Sequence, residues 1–534
     1  MRIRIKSEAA ALGVLLLLLS GCITLGPDYT QPKVQEPMEW MEKDDPRIKS
    51  EPADLNRWWK VFDDPVLDDL VERAYQQNLS LQIAGIRILE ARAQLGIAIG
   101  NIYPQTQNLA ATYTVTGLSE NAANSSPLGD FNYTDLAVGF NAAWEIDLWG
   151  KFRRGIESSF ANLEGSIANY DDVLVSLTAD VARTYALIRT FEARLEVARE
   201  NLRIQERTLQ IVEAQLKGGL VTELDVQQAK NLVATTKASI PPLEAGVRLG
   251  QNALAILLGT LPGEMKEILR GPKPIPVAPA EVAVGIPADL LRRRPDIRLA
   301  ERQVAAQSPL IGVAKADLYP HFSLFGTIGL SASDAAMTAA GFPGGSKLTD
   351  LFSSKSFEWF AGPSFTWDVL SYGRIKNRVR VEDARFQQLA VNYQNTVLKA
   401  AQEAEDALVS YVKAHAERNS WLEAVKASER SVEISLLQYK EGLVDYQRVL
   451  DAERSLASSQ DALASSTGSV AVDLVAVYRA LGGGWEIRVG KDFVPAEIKE
   501  TMQKRTDWGK MLTPEEREAE PQKVQKVLPP WPDW

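Results

Sequence analysis

The side chains best able to do chemistry are scarce in this 534-residue chain. It holds one cysteine, Cys22, and two histidines, His321 and His415. A single cysteine cannot close a disulfide within the chain, and this inventory argues against Cys/His zinc sites and a Cys–His nucleophile pair. Asp and Glu are plentiful, but no spacing among them suggests a hard-metal site. Nothing resembles a nucleophile–base arrangement, and Gly482-Gly483-Gly484 is not followed by a phosphate-binding pattern. No metal, no cofactor and no enzymatic activity are expected. One polar set is better placed: Gln447, Asp451 and Arg454 fall at i, i+4 and i+7, on one face of a helix. With 59 Lys and Arg against 69 Asp and Glu, the net charge is −10, which makes nucleic acid a poor partner.

The cysteine has a context of its own. Arg2, Arg4 and Lys6 precede an apolar run, Ala9 to Leu19, that closes in five leucines. This is a secretory-signal layout, too short for a permanent membrane span. Leu19-Ser20-Gly21-Cys22 resembles a bacterial lipobox, cut ahead of a lipidated cysteine. Cleavage after residue 21 removes three basic and one acidic side chain and takes the net charge from −10 to −12. Ile23 follows where an aspartate is associated with inner-membrane retention, so export to the outer membrane stays open. No later segment has the roughly 18 consecutive apolar residues of a transmembrane helix, which leaves a closed β-barrel as the way to cross a membrane.

The elements that position these residues come from a repeat. Tyr103-Pro104 recurs as Tyr319-Pro320, and Gly150 recurs as Gly373 at a shift of 223. That shift holds through Tyr170/Tyr393, Gly219-Leu220-Val221/Gly442-Leu443-Val444 and Leu258-Gly259/Leu481-Gly482. Gly271 to Pro279 separates the halves, with four prolines in nine residues, as suits an extended connector. Arg374 to Glu441 contains neither Gly nor Pro over 68 residues, which predicts roughly 100 Å of helix ended by Gly442. A return helix runs to Leu481, and Pro295 to Asp317 supplies a further helix. Pro241-Pro242 is expected to kink the first-half return helix.

Strand patterns lie between each Tyr-Pro and the following long helix. Leu109 to Thr116, Leu136 to Leu148, Phe322 to Ser331 and Phe357 to Val369 alternate apolar with small or polar residues. Gly362-Pro363 is expected to bend or bulge the last of them. An apolar outer face with a polar inner one is the pattern of a membrane barrel. Four strands are too few to close alone, so several chains should share one barrel.

With Gly26-Pro27-Asp28-Tyr29 after Cys22, Trp58-Trp59-Lys60-Val61-Phe62-Asp63-Asp64-Pro65, Leu291-Arg292-Arg293-Arg294-Pro295-Asp296-Ile297, Ile311-Gly312-Val313-Ala314-Lys315-Ala316 and Leu450-Asp451-Ala452, the chain resembles the TolC-like outer-membrane efflux proteins. The likeness is to the lipoprotein branch that partners resistance-nodulation-division (RND) pumps, and it covers residue 22 to about 490. It implies a fold class: mixed α and β, mainly α, with a homotrimer sharing a 12-stranded membrane β-barrel continued by a periplasmic α-helical barrel. It implies passive conduction of solutes from an inner-membrane RND pump and a periplasmic adaptor (membrane fusion) protein. The implied place is the outer membrane of a Gram-negative bacterium, among its lipids, with the covalent lipid on Cys22 held on the periplasmic side. Drugs, metals, solvents and dyes all suit such a duct.

The same resemblance places a periplasmic gate. Asp225 and Tyr439 occupy the family's linking positions and Asp451 its acidic ring, with Arg454 on the Asp451 face. The linking arginine position holds Val444, and Arg448, the repeat mate of Asp225, is a candidate substitute. Asp225 with Thr222 also reads as a capping pair, and Asp451 with Arg454 as a solvated i, i+3 pair. The turns at Gly219, Leu220 and at Gly442, Leu443 are the expected adaptor contacts. The chain divides into a signal peptide (1–21), a lipid-anchored segment (22–70), a first repeat (71–270), a connector (271–285), a second repeat (286–490) and a charged, proline-bearing tail (491–534). The rival reading, a pore-free coiled-coil envelope scaffold anchored by lipid, calls for apolar heptads and no alternating strands.

Overall fold

The 68-residue stretch without Gly or Pro becomes one helix of 67 residues, and its first-half counterpart, which carries Gly155 and Gly165, another of the same length. In the computed structural model, which describes all residues except 1–23, 35–38, 50, 52–53, 120, 122–131, 286, 288–291, 336–344 and 514–534, nine α-helices and six strands are seen among the described residues. They are α1 (Pro65–Gln77), α2 (Leu79–Gly100), α3 (Lys151–Lys217), α4 (Glu223–Leu257), α5 (Met265–Leu269), α6 (Pro295–Ala316), α7 (Arg374–Lys440), α8 (Tyr446–Ala480) and α9 (Ala496–Arg505). The strands are β1 (Ile48–Lys49), β2 (Thr106–Gly117), β3 (Asn132–Glu145), β4 (Val282–Ala283), β5 (His321–Ser333) and β6 (Phe357–Thr366). Cys22 and residues 514–534 of the tail lie outside the described residues.

The repeat is exact in helix length: α3 and α7 have 67 residues, α4 and α8 have 35, α2 and α6 have 22. At 1.5 Å per residue the long helices run roughly 100 Å. Each return helix covers about half of that, and α2 and α6 supply the rest. Packing gives four columns side by side in the order α2/α4, α3, α6/α8, α7. The sheet has the same lateral order, β2-β3-β5-β6, all antiparallel. Each strand therefore stands at the end of one helical column.

Two sequence expectations are corrected. The fourth strand carries no bend or bulge: His321↔Thr366 to Leu330↔Phe357 pair one to one through Gly362 and Pro363. The alternation read to Leu148 and Val369 also overruns the strands, which stop at Glu145 and Thr366. Asp147 accepts from the amides of Phe152 (3.2 Å) and Arg153 (3.0 Å), turning the chain into α3. α4 passes through Pro241 and Pro242 as one unbroken helical span.

The main core fills the middle of the helical columns, and the N-terminal motif is part of it. Trp58 is fully buried and stacks on Tyr478, ring centroids 5.1 Å apart. Asp64 caps α1 and accepts from the Tyr185 hydroxyl of α3 at 2.6 Å. β1 pairs in parallel with β4, tying this segment to the stretch after the prolines. The arginine motif closes the second repeat on itself. Buried Arg294 donates to the Ala480 carbonyl at the end of α8 (2.6 Å) and to Asp296 and Glu403 (2.8 and 2.7 Å). Burial and the charge of Asp296 push the neighbouring Asp172 up to about 6. Past residue 490, α9 packs on α2 through Met502, Val494 and Leu89.

Candidate functional site

Register sorts the sheet into two faces. Leu109, Tyr113, Val138, Phe140, Trp144, Leu324, Ile328, Trp359 and Phe365 fall on one face, and most are exposed. Asn108, Thr112, Thr114, Asn141, Thr327, Ser331 and Ser364 fall on the other. Asn141 donates to Asn108 (3.1 Å) and Thr327 to Asn141 (2.7 Å), a polar ladder across three strands. Among the described residues no second layer of strands or long helices packs on either face. A soluble sandwich would bury its apolar face, whereas a contiguous exposed apolar sheet calls for lipid. No helix among the described residues is long and apolar enough to cross a membrane.

The strand-to-helix junction is bound by aromatic donors and charge pairs. Trp144, Trp149 and Trp367 each give their indole N–H to a carbonyl at the end of α2 or α6, at 3.0, 2.8 and 3.0 Å. Asp317 pairs with Lys151 (3.0 Å) and Arg378 (3.4 Å), and His321 with Glu145 (2.7 Å). The segment just after Cys22 is fastened here. Leu25 N–H donates to Trp149 O at 3.1 Å, and Arg154 reaches Leu25 O (3.1 Å) and Asp28 (2.8 Å). A Cβ on Gly26 would lie 2.5 Å from Gly312, so the two glycine motifs are needed for backbone contact.

At the far end, the two tips are copies. Gly219 and Gly442 adopt φ of 71° and 69°, and their amides bond to Leu216 O and Tyr439 O at 2.9 and 3.0 Å. A Cβ at either would meet nothing within 4 Å, so backbone conformation alone calls for glycine. Leu220 and Leu443 project at 77% and 74% exposure. Behind them Val212, Val226, Tyr439, Tyr446, Val449 and Leu450 form a small apolar cluster between the hairpins.

The gate candidates gather beside that cluster in a different pattern of bonds. Asp225 accepts from Thr222 N and Oγ1, both at 2.8 Å, completing a capping box. The Tyr439 hydroxyl donates to Gln215, not to Asp225; burial, then the Asp225 charge, raises its pKa. Arg448 stands in the first turn of α8, its amide on the Asp445 cap. Gln447 donates to Asp451 at 3.0 Å, and Arg454 lies 4.0 Å from the same carboxylate. These three share an exposed helical face.

One feature of this end escaped the sequence reading. Glu453 is 4% exposed in the seam between α8 and α3, where it accepts from Thr208 at 2.9 Å. Its second oxygen, and both polar atoms of the adjacent buried Gln205, find no hydrogen-bond partner among the described residues. Burial raises the Glu453 pKa, with Thr208 opposing. Its place two residues after Asp451 was legible; the inward direction of its side chain was not.

An unpacked apolar sheet face, joined column by column to long polar helices, defines a class of protein: a wall segment of a membrane barrel that continues outside the bilayer as helices. The chain belongs to the outer membrane efflux protein family, whose model matches residues 70–260 and 286–483. It is 32% identical over 479 residues to nodulation protein T of Rhizobium leguminosarum bv. viciae, covering 89% of this chain and 93% of that one. It is 30% identical over 481 residues to a probable outer membrane lipoprotein, SilC, of Salmonella typhimurium, covering 88% and 97%. The solved outer-membrane channel OprN superposes with a TM-score of 0.79 at 32% identity, covering 86% of this chain and 99% of that one. The fold class is thus the one expected, mainly helical, with four strands that are one chain's share of a trimeric barrel continued by a helical barrel. The family is one of outer-membrane efflux channels and not of enzymes.

Proposed function

We propose that this protein is the outer-membrane duct of a tripartite efflux system, conducting solutes passively from an inner-membrane RND-type pump and its periplasmic adaptor to the outside. The observation that carries the reading is the continuous sheet-and-column wall with two free edges. One edge, β2 with α2 and α4, exposes Leu79, Ile83, Leu249 and Ile256. The other, β6 with α7, exposes Val391, Leu398, Ile434 and Leu437. Head-to-tail contact between unlike edges generates a closed ring, and three copies bring four strands each. The pore-free scaffold reading gives no role to the exposed apolar sheet.

The finer assignments belong to the same proposal. Cys22 carries the lipid and holds the chain on the periplasmic side of a Gram-negative outer membrane; the docking of Leu25 at Trp149, at the strand-to-helix junction, supports an anchor near the barrel. Several acyl chains make a lasting anchor, at about 0.8 kcal/mol per buried methylene. Gly219, Leu220, Gly442 and Leu443 meet the adaptor. Asp225, Tyr439, Arg448, Asp451 and Arg454 close the periplasmic end at rest. The division into segments 1–21, 22–70, 71–270, 271–285, 286–490 and 491–534 is also part of it, although α1 crosses the boundary at 70. Deleting the gene should raise retention of solutes exported by the partner pump, and the intact gene should restore export. Unchanged retention, with the partner pump expressed, contradicts the reading.

A further inference from the structure

A barrel interior built only to hold water would present polar or small side chains throughout. Among the paired positions on the polar face, Phe325 and Phe360 are the only large side chains without a polar atom. Phe325 stands opposite Gly362 and Phe360 opposite Thr327, so register fixes both on the face of the Asn108–Asn141–Thr327 ladder. Their rings meet edge to face with centroids 6.0 Å apart and remain 41% and 55% exposed. A separate pair, Phe322 and Phe365 at 6.2 Å, lies on the apolar face. The inner pair is therefore additional to the lipid-facing aromatics.

We propose that the Phe325–Phe360 pair is a binding site, inside the barrel, for solutes carrying a planar aromatic ring. The reading rests on the duct proposed above, in which the polar face lines the water path. Exposed ring faces and edges offer offset or T-shaped contact to a third ring. The ladder beside them offers amide and hydroxyl groups to the polar end of such a solute. At the neighbouring neck Asp317 is paired with Lys151 at 3.0 Å. Glu358 lies on the same face two residues from Phe360, opposite Gly329, so the site is assigned by its rings and not by the charge of the solute.

Single-channel recording of the purified trimer tests this, with 1-naphthol as the probe added on the barrel side. Wild-type channels should show brief current interruptions whose frequency rises with probe concentration. In Phe325→Ser/Phe360→Ser their duration should fall roughly tenfold, the equivalent of two ring contacts. Phe325→Tyr/Phe360→Tyr, which keeps the rings, should retain them. Equal interruptions in the serine and wild-type channels overturn the site, as does a serine channel changed only in open conductance. A wild-type trimer that passes no current in any state overturns the duct itself, and the site with it.

Discussion

The two hairpins, α3/α4 and α7/α8, share helix lengths and turn geometry but not charge. At a shift of 223, Thr222 and Asp445 are matching N-caps, and Gly219 and Gly442 matching turn residues. Beyond the caps the charges differ. Asp451, Glu453 and Arg454 of the second hairpin correspond to Gln228, Lys230 and Asn231 of the first, and Arg448 corresponds to Asp225. What is repeated is the backbone that builds a column and a tip. What is not repeated is the charge, and of the residues proposed for the gate only Asp225 lies in the first hairpin.

The largest effect expected from this comparison falls where the hairpins are alike. Leu220→Glu with Leu443→Glu should abolish export while leaving trimers intact, on the proposal that both tips meet the adaptor. Normal adaptor cross-linking in that variant would remove the tips from the contact. A second effect should fall where they differ. Asp451→Ala combined with Asp225→Ala and Arg448→Ala should raise single-channel conductance and weaken cation preference, since a ring of like carboxylates favours cations. Gln228→Ala, at the first-hairpin match of Asp451, should change neither. If the triple variant conducts like the wild type, these residues do not form the gate.

The smallest effect concerns Glu453. A carboxyl whose pKa is raised on folding binds more protons folded than unfolded, so its stabilising contribution is complete below the ordinary value of 4.5 and is lost as pH rises through the folded value. Glu453→Gln mimics the protonated form. It should raise the melting temperature by roughly a few degrees at neutral pH, on the order of 1 kcal/mol, and by nothing at pH 4. Lys230→Gln, at the exposed match, should stay within about 0.5 kcal/mol throughout. A destabilised Glu453→Gln at neutral pH would show that the ionised carboxylate is needed in the seam.

Much of the frame was legible because it depends on local rules. Missing Gly and Pro set the length of α7 and the repeat carried it to α3 despite Gly155 and Gly165, a glycine at each tip set where they stop, and alternation set the sheet faces. Distant contacts were not legible. Nothing in the alternation around Pro363 says that β6 keeps one-to-one register with β5 through it, so the bulge was a reasonable and mistaken inference. Ser323, Thr327 and Ser331 mark the polar face, but Phe325 breaks their pattern and is located only by counting residue parity through the register. Tyr439 finds Gln215, while Asp225 is held by Thr222, three residues beyond the turn glycine Gly219. The contact of Gly26 with Gly312 joins positions 286 apart in sequence.

The central claim is that the polar face of this sheet lines an aqueous path and the apolar face meets lipid. Adjacent residues on β2 test it directly, since Ala111 and Thr112 are both exposed in the single chain and point to opposite faces. Each is replaced by cysteine in turn, and current is recorded in a planar bilayer during treatment with a charged, membrane-impermeant thiol reagent. The expected result is a stepwise change in current for Thr112→Cys and none for Ala111→Cys. Reaction at Ala111→Cys with an inert Thr112→Cys, or no current change at either position in a conducting channel, would contradict it.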